Sequence, residues 1–476
     1  MADIAFGIHG HFYQPSREDP ISGQIPTERG SEPYKNWNEL IYHHCYKPNT
    51  DLRNFERISF NIGPTLMDWM EKNYPGTVLE IIRQENGNYE KFGVSNALAQ
   101  SYHHTILPLS TREDKITQIQ WGIKDFQRRF GHSPSGMWLP EAAVDLESLE
   151  IMADSGIEFT ILAPWQADST DLDVSQPYWI ELPNQKRIGV FFYNRELSTQ
   201  ISFDPLSTVN ADRFAEEKIL PLFKKDSPND QPKYFLVASD GELYGHHQPF
   251  RDQFLDHLMN GALSQYTIQH TYPALWFRQH PPVQTIRIHE NTSWSCHHGV
   301  SRWSTGCGCT SLSDWKRHLR IAIDQVAAIV DREFENYLQN FTSDIWRFRN
   351  EYWEVLSGET TDEQFIDLFP GLSLTETEKY KIKNLLLAQV DRQKMYTSCG
   401  WFFDDFDRIE PQNVVSYAAQ SIYWTEIATQ KALIDAVIPY FEKIRSQMNL
   451  VSGDIILIQQ YRRARQHYSI TERIKQ

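Results

Sequence analysis

The chain contains about seven short apolar segments with the composition of buried strands, and several of them alternate with amphipathic helical segments. This rhythm predicts an α/β fold in which parallel strands form a barrel and helices connect them. The connections are long, and long loops on a barrel usually build a functional site. The predicted strands are residues 4–10, 57–62, 92–96, 136–139, 158–162, 187–193 and 234–239.

The last third of the chain has a different pattern. Apolar residues recur at helical period from Trp315 to Phe334, and residues 414–428 and 431–444 also have helical patterns. A length of 476 residues favours more than one domain. We therefore expect a barrel-like domain over residues 1–305 and a helical domain over residues 306–476.

Charge and composition argue against several classes of partner. The net charge of −16 is unfavourable for binding to nucleic acid or to anionic membrane surfaces, because both require basic patches. The five cysteines suggest no disulfide framework, and we recognise neither a signal peptide nor an apolar run of membrane-spanning length. We expect a cytoplasmic protein without nucleic-acid or membrane partners, and the pattern leaves its oligomeric state open.

Polar residues stand at three predicted strand ends. His9 and His11 lie at the end of the first strand, Glu141 follows the fourth, and Asp240 follows the last. Parallel α/β barrels place their catalytic groups at the carboxyl ends of the strands. We therefore expect these side chains, which are distant in sequence, to form one site.

Glu141 and Asp240 are the candidate catalytic residues. Cleavage of a glycosidic bond needs two carboxyl groups, one that protonates the leaving oxygen and one that attacks or activates water. Each residue also has a structural alternative. Glu141 lies in the first turn of a predicted helix, where a carboxylate stabilises the N-terminus, and Asp240 precedes a glycine in a turn. The two carboxylates together, with histidine and tryptophan nearby, favour catalysis.

The histidines leave a metal site open as an alternative. A His-x-His pair on a strand places both rings on one face, so His9 and His11 could ligate zinc together with Asp240, His246 and His247. Zinc does not explain the glutamate motif after the fourth strand, and we therefore expect no metal and no cofactor.

A further group of three cysteines and two histidines lies close together in the sequence, at Cys296, His297, His298, Cys307 and Cys309. They lack the double Cys-x-x-Cys spacing of a structural zinc site. We interpret them as incidental.

Four motifs, in this order, resemble those of glycoside hydrolase family 57. They are His9-Gly-His11-Phe-Tyr-Gln14-Pro15, Trp138-Leu-Pro-Glu141, Asp240-Gly-Glu242-Leu-Tyr-Gly245-His246 and Thr292-Ser-Trp294-Ser, with Trp303 beyond the last. The second and third are the specific ones. The resemblance covers the first two thirds of the chain, and the last third resembles a helical extension of unassigned function found in one branch of the family.

The resemblance implies an incomplete (β/α)7 barrel followed by helices, and retaining cleavage of α-glucosidic bonds by double displacement. In that chemistry Glu141 is the nucleophile and Asp240 is the general acid/base. Tryptophans would stack on sugar rings, although core packing is the alternative for about half of them. The expected substrate-binding residues are His9, His11, Gln14, Trp138, Trp165, Glu242, His246, His247, Trp294 and Trp303.

Two departures from the common pattern leave the reaction open. Phe12 and Tyr13 are inserted between His11 and Gln14, and residues 247–248 stand where many members carry aromatic residues. The sequence therefore predicts an enzyme that either hydrolyses α-glucans or transfers the cut chain to another sugar. A zinc-dependent deacetylase or α-mannosidase-like enzyme on a related barrel, and a non-catalytic carbohydrate-binding protein, are the alternatives.

Overall fold

A computed structural model describes residues 4–224, 231–266, 268–368 and 374–475. The chain forms two compact units. The first comprises residues 1–16, 27–102 and 122–295, and the second comprises residues 17–26, 103–121 and 296–476. The second unit thus takes in two segments from the first third of the chain, which the expected division at residues 305 and 306 does not include.

Nine strands lie in the described part of the first unit. The expected strand over residues 92–96 is wrong, because helix Pro75–Phe92 continues to Phe92 and the strand begins at Ala99. The strands are β1 (Ile4–Phe12), β2 (Ser59–Ile62), β3 (Ala99–Gln100), β4 (Met137–Trp138), β5 (Phe159–Leu162), β6 (Tyr178–Glu181), β7 (Arg187–Phe192), β8 (Lys233–Asp240) and β9 (Gln269–His270).

Seven of these strands form a parallel row in the order β8, β1, β2, β3, β4, β5, β7. Parallel bridges join Phe60 of β2 to Ala97, and Gly136 to Phe159 of β5. At the open side, Asn194, the second residue after β7, donates its backbone N–H to the carbonyl of Leu236 in β8 at 2.7 Å. The predicted incomplete (β/α)7 barrel is confirmed.

Helices cover the barrel strands. Gly122 allows one of them to lie directly on β3, because a Cβ at this position would be only 1.9 Å from the carbonyl oxygen of Gln100. The helices of the first unit are Trp37–Ile41, Lys47–Asp51, Asn54–Arg57, Pro64–Asn73, Pro75–Phe92, Leu146–Asp154, Arg195–Phe203, Ala211–Phe214, Leu220–Lys224, Arg251–Asn260 and Pro273–Gln279, and helix Arg112–Phe130 contributes residues to both units.

The second unit is helical, as the sequence predicts. Helix Ile409–Thr429 contains the helix predicted over residues 414–428, and most of its surface is buried. No described helix is both long enough and apolar enough to cross a membrane. The other helices are Asp314–Leu338, Ile345–Glu351, Trp353–Leu356, Asp362–Leu368, Glu376–Lys394, Cys399–Phe402, Ile434–Phe441 and Gly453–Lys475.

A buried ion network holds residues 103–121 in the second unit. The carboxylate of Asp114 lies 2.6 Å from Arg392 and 3.1 Å from Arg349, and Arg392 also pairs with Asp331 at 2.7 Å. Burial raises the pKa of Asp114, but the two guanidinium groups outweigh it and lower the pKa to about 2. Asp114 is therefore ionised at neutral pH and compensates two buried cations.

Asp114→Asn should destabilise the protein by about 3–5 kcal/mol, because it leaves buried guanidinium charge without its counter-ion. Urea denaturation followed by circular dichroism measures this difference. Arg213→Ala is the matched control, since it breaks an exposed pair with Glu217 and should leave stability almost unchanged. Equal stability of the Asp114→Asn protein and the wild type would contradict the structural role of the network.

Candidate active site

Two neutral histidines line the end of β1. His9 lies 2.9 Å from Ser59 through Nδ1 and 3.1 Å from the side-chain oxygen of Asn61 through Nε2. His11 lies 3.0 Å from the side-chain nitrogen of Asn61. Burial lowers the pKa of His9 to about 3 and that of His11 to about 4, so both rings are uncharged at neutral pH. The polar ends of β1 and β2 thereby form one hydrogen-bonded layer.

Glu141 follows β4 in a short turn, not in a regular helix. Its backbone is left-handed, with φ of 58°, which is uncommon for a residue with a side chain. The carboxylate accepts hydrogen bonds from Trp294 Nε1 at 3.1 Å and from Ser295 Oγ at 2.6 Å. Helix Leu146–Asp154 has its own cap, Asp145, so Glu141 does not serve as a helix N-terminal carboxylate.

Asp240 ends β8 and is partner to His11 in the parallel pairing of β1 with β8. Its carboxylate accepts the backbone N–H of Glu242 at 3.0 Å and lies 3.4 Å from His247 Nε2. The hydrogen bond with Asp240 raises the pKa of His247. The side chain of Asp240 remains 51% exposed, so it caps a turn and still reaches solvent.

Glu242 is the buried member of the acidic pair. Tyr46 donates its hydroxyl to one carboxyl oxygen at 3.0 Å, and Gln14 donates its amide to the other. Burial, followed by the negative charge of Asp240, raises the pKa of Glu242 to about 8. Glu242 therefore holds a proton at neutral pH beside the exposed side chain of Asp240.

The protonated state of Glu242 predicts a specific pH dependence of stability. Between the ordinary pKa of 4.5 and the raised value of about 8, the unfolded chain releases this proton and the folded chain keeps it. Wild-type stability should therefore fall relative to that of Glu242→Gln as the pH rises through this window, by up to about 1.4 kcal/mol per pH unit.

Urea denaturation at about pH 5 and about pH 8 measures the difference between the two proteins. Glu181→Gln, which removes an exposed carboxylate at the end of β6, is the control for the loss of one acidic group. A difference for Glu242→Gln that is the same at both pH values would show that Glu242 is ionised in the folded protein.

Stacked aromatic rings connect the two acidic residues. Trp138 stacks on both His9 and His11, with ring centroids 4.8 and 5.2 Å apart. Trp294, which donates to Glu141, packs edge-on against Trp138 at 4.9 Å and against His11 at 6.2 Å. His11 is the backbone partner of Asp240 in the sheet, so packed rings run from Glu141 to the strand position beside Asp240.

The residues expected to bind substrate separate into accessible and buried groups. Gln14, His246 and Trp294 are partly exposed, His247 is exposed, and Trp165 is 38% exposed, with its indole N–H bonded to the carbonyl of Ser293. His11 is 8% exposed at the edge of this group.

The other expected substrate-binding residues are buried, with 0–1% of their surface exposed. Trp303 belongs to the second unit, where it is part of the core. The buried group consists of His9, Trp138, Glu242 and Trp303.

Several supporting residues were not foreseen from the sequence. Ser295 contacts Glu141, Asn61 organises the two histidines, and Tyr46 holds Glu242. The only signal for Ser295 is its place directly after Trp294 in the fourth motif. Asn61 lies one residue before the end of a predicted strand, which is a signal that the strand-end argument could have used.

The side chains near Asp240 that could bind a metal ion differ from those considered from the sequence. Among the described residues, Asp240, Glu242 and His247 have donor atoms within 4.8 Å of one another, and His9 and His11 are not in this group. Both ring nitrogens of His9 already face Ser59 and Asn61. The structure therefore does not place His9 and His11 together with Asp240 and His247 as the alternative zinc site would require.

The structure brings together the three cysteines and one of the two histidines that we interpreted from the sequence as incidental. Cys296, His298, Cys307 and Cys309 place four donor atoms within 4.8 Å of one another. The chain between them reverses at Gly299 and Gly306, both at positive φ. The sequence does not reveal this group, because one residue separates Cys296 from His298 and one separates Cys307 from Cys309, and the two pairs meet only in the folded chain.

A parallel barrel with carboxyl groups at the ends of β4 and β8 is typical of enzymes that use acid–base or nucleophilic carboxylates. Residues 11–289, more than half of the chain, match glycosyl hydrolase family 57. The chain belongs to this family. Residues 313–463 match a domain of unknown function, DUF3536.

Known relatives are similar to part of the chain. The 4-alpha-glucanotransferase of Thermococcus litoralis is 24% identical over 213 residues, which are 44% of this chain and 30% of that protein. Alpha-amylase 1 of Dictyoglomus thermophilum is 28% identical over 218 residues, 44% of this chain and 29% of that protein. The matched region thus spans about 30% of the length of these relatives.

Solved structures share the fold over most of the chain. An exo-type maltose-forming amylase from Pyrococcus sp. ST04 has a TM-score of 0.75 at 14% identity, covering 92% of this chain and 83% of that one. The branching enzyme of Pyrococcus horikoshii has a TM-score of 0.60 at 14% identity, covering 97% and 94%. At this identity the comparison establishes the fold alone.

Proposed function

We propose that the protein is a retaining glycosidase or glucanotransferase that acts on α-glucans. The observation that carries the proposal is the orientation of the Glu141 carboxylate, which accepts hydrogen bonds from Trp294 and Ser295. The backbone of Glu141 is left-handed, so this residue is not part of a regular helix. Unusual backbone conformations cluster at functional sites, and barrel enzymes place catalytic groups at the carboxyl ends of their strands.

Glu141 and Asp240 have different roles in the two steps of the reaction. Glu141 attacks the anomeric carbon, and Asp240 gives its proton to the leaving oxygen. Asp240 then removes a proton from water or from a sugar hydroxyl, which attacks the same carbon and releases Glu141. Two successive inversions retain the α configuration. The acceptor, water or sugar, decides between hydrolysis and transfer.

The environment of Asp240 supports its function in both directions of proton transfer. It is exposed enough to reach a leaving group, and the protonated carboxyl of Glu242 and the imidazole of His247 lie beside it. The Nε2 atom of His247 lies 3.4 Å from the carboxyl group of Asp240, which must lose and regain a proton. The neutral rings of His9 and His11 place no charge near the nucleophile.

The choice of an α-glucan substrate rests on family membership and on relatives that are named 4-alpha-glucanotransferase and alpha-amylase. Accessible aromatic surface at Trp165 and Trp294 fits the flat faces of glucose rings. Net charge of −16 fits a neutral polymer better than a polyanion. Five free thiols fit the cytoplasmic location that we also propose.

Incubation with maltooligosaccharides, amylose and glycogen, followed by chromatography of the products, tests the proposal. New reducing ends indicate hydrolysis, longer and shorter linear chains indicate transfer, and new α-1,6 linkages indicate branching. Each of these supports the proposal. An unchanged glucan panel would overturn it.

A further inference from the structure

Four side chains of the second unit surround a space of the size of a metal ion. The sulfur of Cys296 lies 3.6 Å from that of Cys307 and 3.8 Å from that of Cys309. His298 Nδ1 lies 3.4 Å from the sulfur of Cys309 and 3.9 Å from that of Cys296. All four donor atoms are within 4.8 Å of one another.

These separations are the edges of a zinc tetrahedron. Zinc binds sulfur at about 2.3 Å and imidazole nitrogen at about 2.0–2.1 Å, so tetrahedral geometry places two sulfurs about 3.8 Å apart and sulfur and nitrogen about 3.6 Å apart. The observed values lie within about 0.3 Å of these two edges. A disulfide would need sulfurs about 2.05 Å apart, and all three cysteines are free.

The backbone supports the donors in the manner of an outer ligand shell. The N–H of His298 bonds to the sulfur of Cys296, and the N–H of Cys309 bonds to the sulfur of Cys307. Such bonds orient sulfur ligands and tune their charge. The two Cys-x-donor segments therefore have the same local geometry.

The loop between the segments is shaped for this arrangement. Gly299 and Gly306 have φ of 71° and 81°, and the N–H of Gly299 bonds to the carbonyl of Cys296 at 3.0 Å. A Cβ at Gly306 would lie 2.7 Å from the carbonyl oxygen of Ser313. Side chains other than glycine are thus strained at both reversals.

Charge around the group favours bound thiolates. Three thiolates and Zn²⁺ together carry one negative charge, and the cations of Arg302 and Lys316 interact electrostatically with Cys307. Lys316 also interacts with Cys296 and donates to Thr310 at 3.3 Å. His297 lies nearby, with its Nδ1 3.9 Å from the sulfur of Cys309.

We propose that Cys296, His298, Cys307 and Cys309 bind one structural zinc ion. Four protein ligands leave no open position, which is the pattern of structural sites. The ion would fix the loop of residues 296–309 at its start, and Cys296 directly follows Trp294 and Ser295, which hold Glu141. The site does not depend on the proposed glucan activity.

Metal analysis of the full-length protein, purified with reductant in the absence of oxygen, tests the assignment. We expect about one zinc ion per chain, and a loss of at least about tenfold in zinc content for Cys307→Ser and for Cys309→Ser. Cys399→Ser is the matched control, because this free cysteine lies outside the group, and it should keep its zinc.

Two measurements on the wild type keep the test decisive if the variants do not fold. Cobalt exchanged into the protein should give the intense visible bands of a tetrahedral thiolate site, and chelation should make three further thiols reactive. Iron in place of zinc, a disulfide between these cysteines in the reduced preparation, or a folded protein without metal would each overturn the proposal. Zinc retained without glucan activity would leave it standing while removing the proposed function.

Discussion

Glu141→Gln is expected to lower kcat on maltooligosaccharides by more than about 10⁴-fold, which is the scale of losing a catalytic nucleophile. Glutamine keeps the size of the side chain but cannot form the glycosyl ester. Its amide oxygen can still accept from Trp294 and Ser295, so the loss should appear in kcat with the fold unchanged. Initial rates and circular dichroism measure the two properties.

A chemical rescue separates a lost nucleophile from a disturbed site. In Glu141→Gly, azide can occupy the vacated space and attack an activated α-glucosyl fluoride directly, which inverts the configuration once and gives the β-glucosyl azide. Glu181→Gln, far from this turn at the end of β6, should keep wild-type rates. Wild-type turnover by Glu141→Gln would contradict the assignment.

Asp240→Asn is expected to lower kcat by about 10²–10⁴-fold on natural glucans, which is the range for losing general acid–base catalysis. Natural glucans leave as poorly stabilised alkoxides, and they therefore need the proton that asparagine cannot give. An activated glucosyl fluoride leaves without protonation, so its first step should be much less affected. Stopped-flow or burst kinetics with both substrates measures this contrast.

The surroundings of Asp240 supply the control. Asp171→Asn changes an exposed carboxylate in a loop of the same unit, and it should leave both substrates unaffected. In Asp240→Asn, azide should attack the accumulated glycosyl-enzyme and give the α-glucosyl azide, opposite to the product of Glu141→Gly. Equal rate losses for the natural glucan and the fluoride would contradict an acid/base function for Asp240.

The sequence was most informative where apolar runs are long. Strands β1 and β8 are continuous apolar segments, and both were placed within two residues of their observed ends. Strand β3 has only two residues, so periodicity could not locate it, and its expected position fell on the end of helix Pro75–Phe92. Short strands are fixed by their neighbours in the barrel.

The site was predictable as a set of motifs but not as a set of contacts. The strand-end argument found Glu141 and Asp240, but burial decides that His9 and Trp138 pack beneath the site. The group of Cys296, His298, Cys307 and Cys309 was not recognised from the sequence. Single residues separate the donors within each pair, and the reversal of the loop brings the two pairs together. Long-range ion pairs such as Asp114 with Arg392 leave no local pattern at all.

Covalent trapping tests the central claim most directly. A 2-deoxy-2-fluoro or 5-fluoro α-glucosyl fluoride should make the glycosyl-enzyme accumulate. The fluorine on the sugar ring destabilises the transition states of both steps, and the good fluoride leaving group compensates for this in the first step only. Mass spectrometry of the digested protein should then place one added sugar on the peptide that contains Glu141. A sugar on another carboxylate, or turnover of glucans with inverted product and no adduct, would contradict double displacement through Glu141.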